Sequence, residues 1–237
     1  MRHPRGRPFP QMSREALRRR CNDGLTERSG DASARVAYRR GEEGVSFAMN
    51  EQSRQGRSPA TYQDVLDAPP RMVAELVDGA LHLHPRPASR HALAGSSLGF
   101  ELGVPFQQAR GGPGGWWIID EPELHLGPDV LVPDLAGWRR ERMPTFPDAP
   151  WFDLVPDWAC EILSPGTREF DLTDKRRIYA RNDLAHLWLV DPKPRTLEAF
   201  TLRSGSWVLV AALKDDDDVR VPPFEAISFP LSALWPE

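Results

Sequence analysis

Residues 157–163 read Asp-Trp-Ala-Cys-Glu-Ile-Leu, a short apolar run with one carboxylate inside it. A run of this length and composition predicts a strand, which in a sheet could be covered on both faces. Side chains alternate along a strand, so Glu161 shares its face with Ala159 and Leu163. A carboxylate buried there needs a cation or hydrogen-bonding partners, because an unpaired buried charge is costly. The stretch therefore predicts a central strand and a candidate functional residue.

A second carboxylate lies upstream of this strand. Asp134 follows Pro133 inside residues 130–138, which we predict to form one strand. Two carboxylates that end on adjacent strands would make an oxygen-rich corner, the donor type that Mg²⁺ prefers. Lys175 lies beyond Glu161 on a predicted helix and could reach the same corner. Its ammonium could there hold a water or the scissile phosphate.

Each of these residues also has a structural interpretation. Asp134 could cap a turn, and Glu161 could pair with an arginine. Lys175 has Asp171 four residues before it, which is the spacing of a surface ion pair on a helix. A single metal site would account for all three candidate residues at once, and this favours the functional interpretation.

The rest of the chain predicts a sheet with helices on its faces. The elements, in order, are a short helix opened by Ser58-Pro59, a hairpin at 72–83 around Asp78-Gly79, a helix at 89–108, strands at 116–126 and 130–138, a strand at 157–163, a helix at 170–182, a strand at 186–190, a hairpin at 196–213 and a last strand and turn at 224–234. This mixture predicts an α/β or α+β fold without internal repeats.

Charge divides the chain of 237 residues near residue 50. Residues 1–48 hold 11 Arg and 6 acidic residues, a net charge of +5, whereas the remainder holds 19 basic and 28 acidic residues, a net charge of −9. We predict a basic, disordered extension over residues 1–57 and one ordered domain over 58–237. The extension could attach to nucleic acid, although a solvated tail is the simpler interpretation, and a translation start at Met49 is a further hypothesis.

Composition excludes several classes of protein. The acidic ordered part does not suit a protein that coats DNA. No apolar run is long enough to span a bilayer, and no signal-peptide core is present. The two cysteines, Cys21 and Cys160, are too far apart for a CxxC motif, which excludes a disulfide framework or a cysteine-based zinc site. We therefore expect a cytoplasmic protein.

Other polar residues have less specific patterns. His82 and His84 share a strand face and could bind zinc, but no further ligand completes the set. His91 could approach the site, although helix capping or exposure is simpler. Tyr179 could hydrogen-bond the site or pack in the core. Six arginines could contact phosphates or form solvated faces: Arg139, Arg140, Arg142, Arg176, Arg177 and Arg181.

The order and spacing of the motifs then resemble a known family. The motifs are Val132-Pro133-Asp134, Glu161-Ile162-Leu163-Ser164-Pro165-Gly166-Thr167, Asp171…Lys175…Tyr179 and Leu187-Trp188-Leu189-Val190-Asp191-Pro192, preceded by Ala74-Glu75-Leu76-Val77-Asp78-Gly79 and His91. Together they resemble the Uma2 family of bacterial proteins regarded as endonucleases, within the PD-(D/E)XK nuclease superfamily. The resemblance covers about residues 58–234 and leaves residues 1–48 unexplained.

The resemblance implies a restriction-endonuclease-like core, with a central mixed sheet, flanking helices, a C-terminal β-hairpin and the site at one sheet edge. By position, Asp134 and Glu161 would be metal ligands, and the backbone carbonyl of Ile162 a third. Lys175 would be the superfamily lysine displaced onto the following helix, because Leu163 stands two residues after Glu161. Glu75 is a further acidic candidate that could equally stabilise its turn.

The implied activity is Mg²⁺-dependent hydrolysis of DNA phosphodiester bonds, in which Mn²⁺ could substitute for Mg²⁺. A homodimer would suit the cutting of two strands, but no interface can be identified from one sequence. The alternative is a catalytically inactive member that keeps the nuclease fold and acts as a nucleic-acid or protein binding module. A carboxylate-dependent hydrolase of another substrate lacks support, since nothing marks a sugar-binding groove.

Overall fold

The computed structural model describes residues 58–86 and 88–235, which contain twelve strands and three helices. The strands are β1 (Met72–Val77), β2 (Ala80–Pro85), β3 (Trp116–Asp120), β4 (Leu124–Leu126), β5 (Asp129–Leu131), β6 (Leu135–Arg139), β7 (Trp158–Ile162), β8 (His186–Asp191), β9 (Thr196–Arg203), β10 (Ser206–Lys214), β11 (Asp218–Val219) and β12 (Phe229–Pro230). The helices are α1 (Tyr62–Leu66), α2 (Ser89–Leu102) and α3, which runs through the consecutive segments Arg168–Phe170, Asp171–Lys175 and Arg176–Arg181. A 3₁₀ turn, Leu231–Leu234, follows β12.

A six-stranded mixed sheet organises the fold, with the strand order β10-β9-β8-β7-β6-β3. Strand β7 pairs antiparallel with β6 and parallel with β8. Parallel neighbours need a crossover connection, and α3 supplies it between β7 and β8. The antiparallel hairpin β9–β10 completes the sheet on the far side. The predicted mixed sheet with flanking helices is confirmed.

The two faces of this sheet contribute to separate hydrophobic layers. Cys160 and Ile162 of β7 pack in one layer, together with Leu98 of α2. Ala159 and Leu163 pack in the other layer, which includes residues of α3. Strand β7 is therefore covered on both faces, which explains why nearly all of its side chains are apolar. Glu161 lies on the face of Ala159, beneath α3, and has to find its partners inside the protein.

The two strands that we predicted over 116–126 and 130–138 are in fact four strands. Strands β4 and β5 join β1 and β2 in a second sheet, with the order β2-β1-β5-β4. The breaks fall near Pro122 and Pro133, which have no N–H to donate to a strand ladder. Asp134 consequently lies in the link between β5 and β6 rather than within one continuous strand.

Helix boundaries also differ from the prediction. Helix α1 begins after Thr61 rather than Ser58, and Asp64 accepts hydrogen bonds from the backbone N–H and the hydroxyl of Thr61 at 2.7 and 2.9 Å. The predicted helix at 89–108 is α2 followed by a π-helical turn, Gly103–Gln107. The central segment of α3 is also π-helical. These wider turns commonly occur at functional sites.

The predicted disordered extension, residues 1–57, lies outside the described residues. Within the described part of the chain, none of the helices has the length and apolar character that a membrane span requires.

Gly137 of β6 lies at a closely packed point of the central sheet. A Cβ atom there would come within 3.1 Å of Ile118, 3.2 Å of Trp158 and 3.3 Å of Trp116. We expect Gly137→Ala to lower the free energy of unfolding by about 1–3 kcal/mol through overpacking, as measured by urea denaturation.

Gly103 provides the matched control, because it has a helical φ of −65° and a Cβ atom added to it would meet no other atom within 4 Å. Gly103→Ala should be neutral or stabilising by up to about 1 kcal/mol. Equal effects of the two substitutions would contradict this account of the sheet's packing.

Candidate active site

Acidic side chains from separate segments surround one small cavity near the C-terminal end of β7. Its volume is about 60 Å³, well above the roughly 10–15 Å³ that one water molecule needs. The acidic residues that line it are Glu75 of β1, Asp134 of the β5–β6 link, Glu161 of β7, Asp171 of α3 and Glu121. Lys175 of α3 lines the same cavity, so the structure brings together the four side chains of the predicted catalytic set, Glu75, Asp134, Glu161 and Lys175.

Lys175 is the centre of the cluster. Its Nζ lies 3.1 Å from Glu161 Oε2, 3.1 Å from Glu75 Oε1 and 3.5 Å from Asp171 Oδ1. It also donates to the backbone carbonyl of Val132 at 3.1 Å. The residue is only 4% exposed. The interpretation of Lys175 and Asp171 as a surface ion pair is therefore wrong, because both groups are buried and shared with two further carboxylates.

Glu161 is held at both of its oxygens. Oε2 accepts from Lys175, and Oε1 accepts from the hydroxyl of Tyr179 at 2.5 Å. Lys175 and Tyr179 are four residues apart on α3 and so face the same strand. The suggested arginine partner of Glu161 is wrong. Tyr179 combines both of its predicted roles, since its ring packs in the core while its hydroxyl fixes a site carboxylate.

Asp134 joins the β5–β6 link to the end of β7. Its Oδ2 accepts from the backbone N–H of Ile162 at 2.7 Å, and its Oδ1 lies 3.2 Å from His91 Nε2. The imidazole of His91 also hydrogen-bonds the backbone oxygen of Ile162. His91 thus reaches the site from the first turn of α2, and the simpler interpretation of this residue as a helix cap or an exposed group is wrong.

Glu75 is a buried member of the cluster rather than a turn residue. It is 1% exposed, and its Oε1 accepts from the backbone N–H of Val132 at 2.8 Å. The turn beyond it is held differently, because the backbone N–H of Asp78 donates to Asp129. The alternative role of Glu75 in stabilising the turn is therefore wrong.

The electrostatics of the cluster are dominated by burial and by shared charge. Burial raises the pKa values of Glu75, Glu161 and Asp171, although attraction to Lys175 opposes the rise. Burial alone would lower the pKa of Lys175, but the surrounding carboxylates raise it well above its usual range. The lysine is therefore charged, and the carboxylates around it outnumber it. A further cation at this place would relieve their mutual repulsion.

The donor atoms suit a hydrated hard cation. Within residues 58–86 and 88–235, no three His, Cys, Asp or Glu side chains already converge on one point as metal ligands. Mg²⁺ does not require that, since it takes oxygen donors, keeps several waters and is usually bound by one or two carboxylates. Asp134 and Glu161 line the same cavity, and the backbone N–H of Ile162 donates to Asp134. Ile162 directly follows Glu161, so its carbonyl is a further oxygen donor close by. We conclude that the residues present fit the ion.

Three further residues of the cavity were not identified as site residues from the sequence. Asp171 was interpreted as the ion-pair partner of Lys175 and quoted in the family motif, but it was not named as a site residue; it is 3% exposed on the inner face of α3. Thr167 hydrogen-bonds Asp171. His84 Nε2 lies 3.6 Å from Glu75 Oε2, and burial lowers the pKa of His84 to about 4, so its ring is neutral. Only the four-residue spacing of Asp171 from Lys175 could have indicated its role.

The arginines considered as phosphate contacts have structural partners. Arg177 and Arg181 both pair with Asp78 and thereby tie α3 to the β1–β2 turn. Arg140 donates to the backbone oxygens of Trp116 and Gln107, away from the site cavity. We had considered that these arginines contact phosphates, but their pairing with other protein groups does not favour that hypothesis.

Comparison with known proteins gives a consistent result. Residues 59–232 match the model of the Uma2 family, described as "putative restriction endonuclease". A crystal structure of "a putative nuclease belonging to DUF820" from Anabaena variabilis is similar, with a TM-score of 0.62 and 22% identity over 75% of this chain and 98% of that one. At this identity the likeness concerns the fold. No curated protein matches the chain at a significant level.

Lys175→Met tests the electrostatics of the cluster. It leaves Glu75, Glu161 and Asp171 buried without their shared cation, so their pKa values rise further. Carboxyl groups whose pKa is raised by folding destabilise the folded state as the pH rises through that range. We expect a loss of about 3–5 kcal/mol at pH 8 that shrinks towards pH 5, in urea denaturation with EDTA present.

Lys214→Met is the control, because the Lys214 side chain is 66% exposed beside Asp215. An exposed pair contributes at most about 1 kcal/mol. A loss in Lys175→Met that does not depend on pH would contradict the proposed charge balance.

Proposed function

The chain belongs to the Uma2 family, described as "putative restriction endonuclease", and we propose from this premise that it is a metal-dependent endonuclease that hydrolyses DNA phosphodiester bonds. The observation that carries the proposal is the buried group formed by Lys175, Glu161 and Glu75 beside Asp134. Such a concentration of buried charge is costly for stability and is typical of functional sites.

Asp134, Glu161 and the Ile162 carbonyl would hold Mg²⁺, and Mn²⁺ could substitute for it. A bound Mg²⁺ polarises the phosphate and lowers the pKa of a coordinated water. The backbone of β7 places two of the donors, because Glu161 and Ile162 are consecutive and the N–H of Ile162 fixes Asp134. The cation would enter a group in which carboxylates already outnumber Lys175.

Lys175 would first of all position Glu161. Its ammonium has three N–H donors, and four acceptor groups surround it: the Val132 carbonyl and the carboxylates of Glu161, Glu75 and Asp171. Contact with a substrate phosphate or with the attacking water requires the exchange of one partner. Because the Val132 carbonyl is the one uncharged partner, we expect that bond to be exchanged most readily. Lys175 would then neutralise charge that develops on the phosphate.

Glu75 and Asp171 would keep Lys175 charged and in place, and Tyr179 would fix the second oxygen of Glu161. These three residues do not need to contact the substrate. They stabilise the rotamers of the side chains that do, which is how a site becomes rigid enough for catalysis.

The proposal includes DNA as the substrate, the cytoplasm as the location and a homodimer as the form that cuts both strands. The family description supports DNA as the substrate. The proposed cytoplasmic location rests on the low number of cysteines in the sequence. The dimer rests on symmetry alone, since two equivalent strands favour two equivalent sites.

One observation favours a second candidate, a catalytically inactive nuclease fold that binds nucleic acid or a protein. All four oxygens of Asp134 and Glu161 already contact protein groups. A purely structural polar network would look the same. Ionised carboxylates have further acceptor positions, however, so these contacts do not prevent metal binding.

Substitution of the two proposed metal ligands distinguishes the metal-dependent nuclease from the inactive binding module. Glu161→Gln and Asp134→Asn keep the side-chain size and remove the charge. We expect each to reduce Mg²⁺-dependent nicking of plasmid DNA at least about 100-fold, since the metal acts directly on the reacting phosphate. Glu198→Gln, an exposed carboxylate of β9, should cut like the wild type.

Circular dichroism of each variant checks that the fold is retained. Undiminished cutting by Glu161→Gln would refute the assignment. DNA binding without cutting by the wild type, with Mg²⁺ or Mn²⁺ present, would instead support the inactive binding module.

Metal binding should also be visible without DNA. A ligand that binds only the folded state stabilises it, and Mg²⁺ at ten times its dissociation constant should add about 1.4 kcal/mol. We expect Mg²⁺ to raise the midpoint of thermal unfolding of the wild type but not of Asp134→Asn. Na⁺ at equal ionic strength distinguishes site binding from screening. Equal shifts in both proteins would contradict a site at Asp134.

A further inference from the structure

His91 occupies the position between two of the groups proposed to bind the metal. Its side chain is 12% exposed, and its Nε2 lies 3.2 Å from Asp134 Oδ1. The same imidazole hydrogen-bonds the backbone oxygen of Ile162. Asp134 and Ile162 are in turn joined by the 2.7 Å bond from the Ile162 N–H to Asp134 Oδ2. The imidazole therefore closes a ring of contacts around the proposed donors.

The partners of His91 define its role. Both are oxygen acceptors, a carboxylate and a carbonyl, so the imidazole faces them with N–H groups rather than with a lone pair. A metal ligand has to present a lone pair, and Mg²⁺ selects oxygen over imidazole. In this arrangement the ring does what a cation would do, because it offers positive charge or hydrogen atoms to the same two oxygens.

We propose that His91 is a positioning residue that stands in for the cation in the metal-free site, and that Mg²⁺ displaces it from Asp134 and the Ile162 carbonyl. The inference rests on the proposed function of this site. It explains how a site with several carboxylates keeps its ligands in place without the metal. It also means that Mg²⁺ has to compete with a side chain of the protein itself.

His84 provides the matched control for substitution of His91. It lines the same cavity as His91 and also has a largely buried ring. Its carboxylate neighbour is Glu75, at 3.6 Å, rather than Asp134. Removing His84 opens similar space in the cavity but frees neither of the proposed metal ligands. An effect of cavity space alone would therefore appear in both histidine variants.

Calorimetric titration of Mg²⁺ into the full chain tests the inference. His91→Ala releases one charge-assisted hydrogen bond from Asp134, so we expect the dissociation constant for Mg²⁺ to fall roughly tenfold. His91→Gln retains an amide N–H donor and should bind Mg²⁺ nearly as the wild type does. His84→Ala should also resemble the wild type.

Thermal unfolding provides a second measurement. His91→Ala should unfold at a lower temperature than the wild type in EDTA, and saturating Mg²⁺ should reduce that difference. If His91→Ala does not fold, His91→Ser is the replacement, with the same expectations.

The outcomes are distinct. Weaker Mg²⁺ binding by His91→Ala would make His91 a ligand and overturn the inference, and unchanged binding would overturn it as well. Either result, with clear binding by the wild type, leaves the proposed nuclease function intact. Failure of Mg²⁺ to bind to the wild type and all the variants would overturn both proposals.

Discussion

The burial of Lys175 is the interaction on which the site depends. An ammonium group that is 4% exposed is stable only because Glu161, Glu75 and Asp171 surround it. Those carboxylates belong to β7, β1 and α3, so one cation joins both sheets and the crossover helix. The carboxylates that make the site acidic, together with Lys175, therefore also hold the tertiary structure together. Replacement of a buried ion pair by hydrophobic residues of similar volume is often neutral for stability, so stability alone does not account for these charges.

The architecture explains why these charges meet near the end of β7. Strand β7 is covered on both faces, so Glu161 has to take its partners from α3, which follows directly after β7. The link that contains Pro133 ends one sheet and begins the other, and it delivers Asp134 to the backbone of Ile162. A break in the strand pattern thus has a functional consequence. A continuous strand over 130–138 would have placed Asp134 inside a strand ladder rather than in the link between the two sheets.

Much of this arrangement was predictable from the sequence, and the failures have physical causes. The burial of Glu161 followed from the apolar residues around it, and the approach of Lys175 from its place on the next helix. The second sheet was not predicted, because strands of three residues such as β4 and β5 are too short for alternation to identify. The burial of Asp171 in the site was also missed, and for His91 an approach to the site was considered while a helix cap or an exposed position was taken as simpler. Helical spacing and a place in the first turn of a helix are compatible with exposure as well as burial, and only the tertiary contacts decide between them.

The excess of carboxylates also bears on the acidic charge of the ordered chain. A site lined by Glu75, Asp134, Glu161 and Asp171 repels a phosphate group unless a cation is present. Binding of the metal and of the phosphate would then be coupled, since each reduces the electrostatic cost of the other. An acidic nuclease can therefore act on DNA without a broad basic surface, provided that the metal reaches the cavity first. The contact between His91 and Asp134 would have a related effect. The imidazole places an N–H group among the carboxylate oxygens, and this reduces their mutual repulsion when no cation is bound.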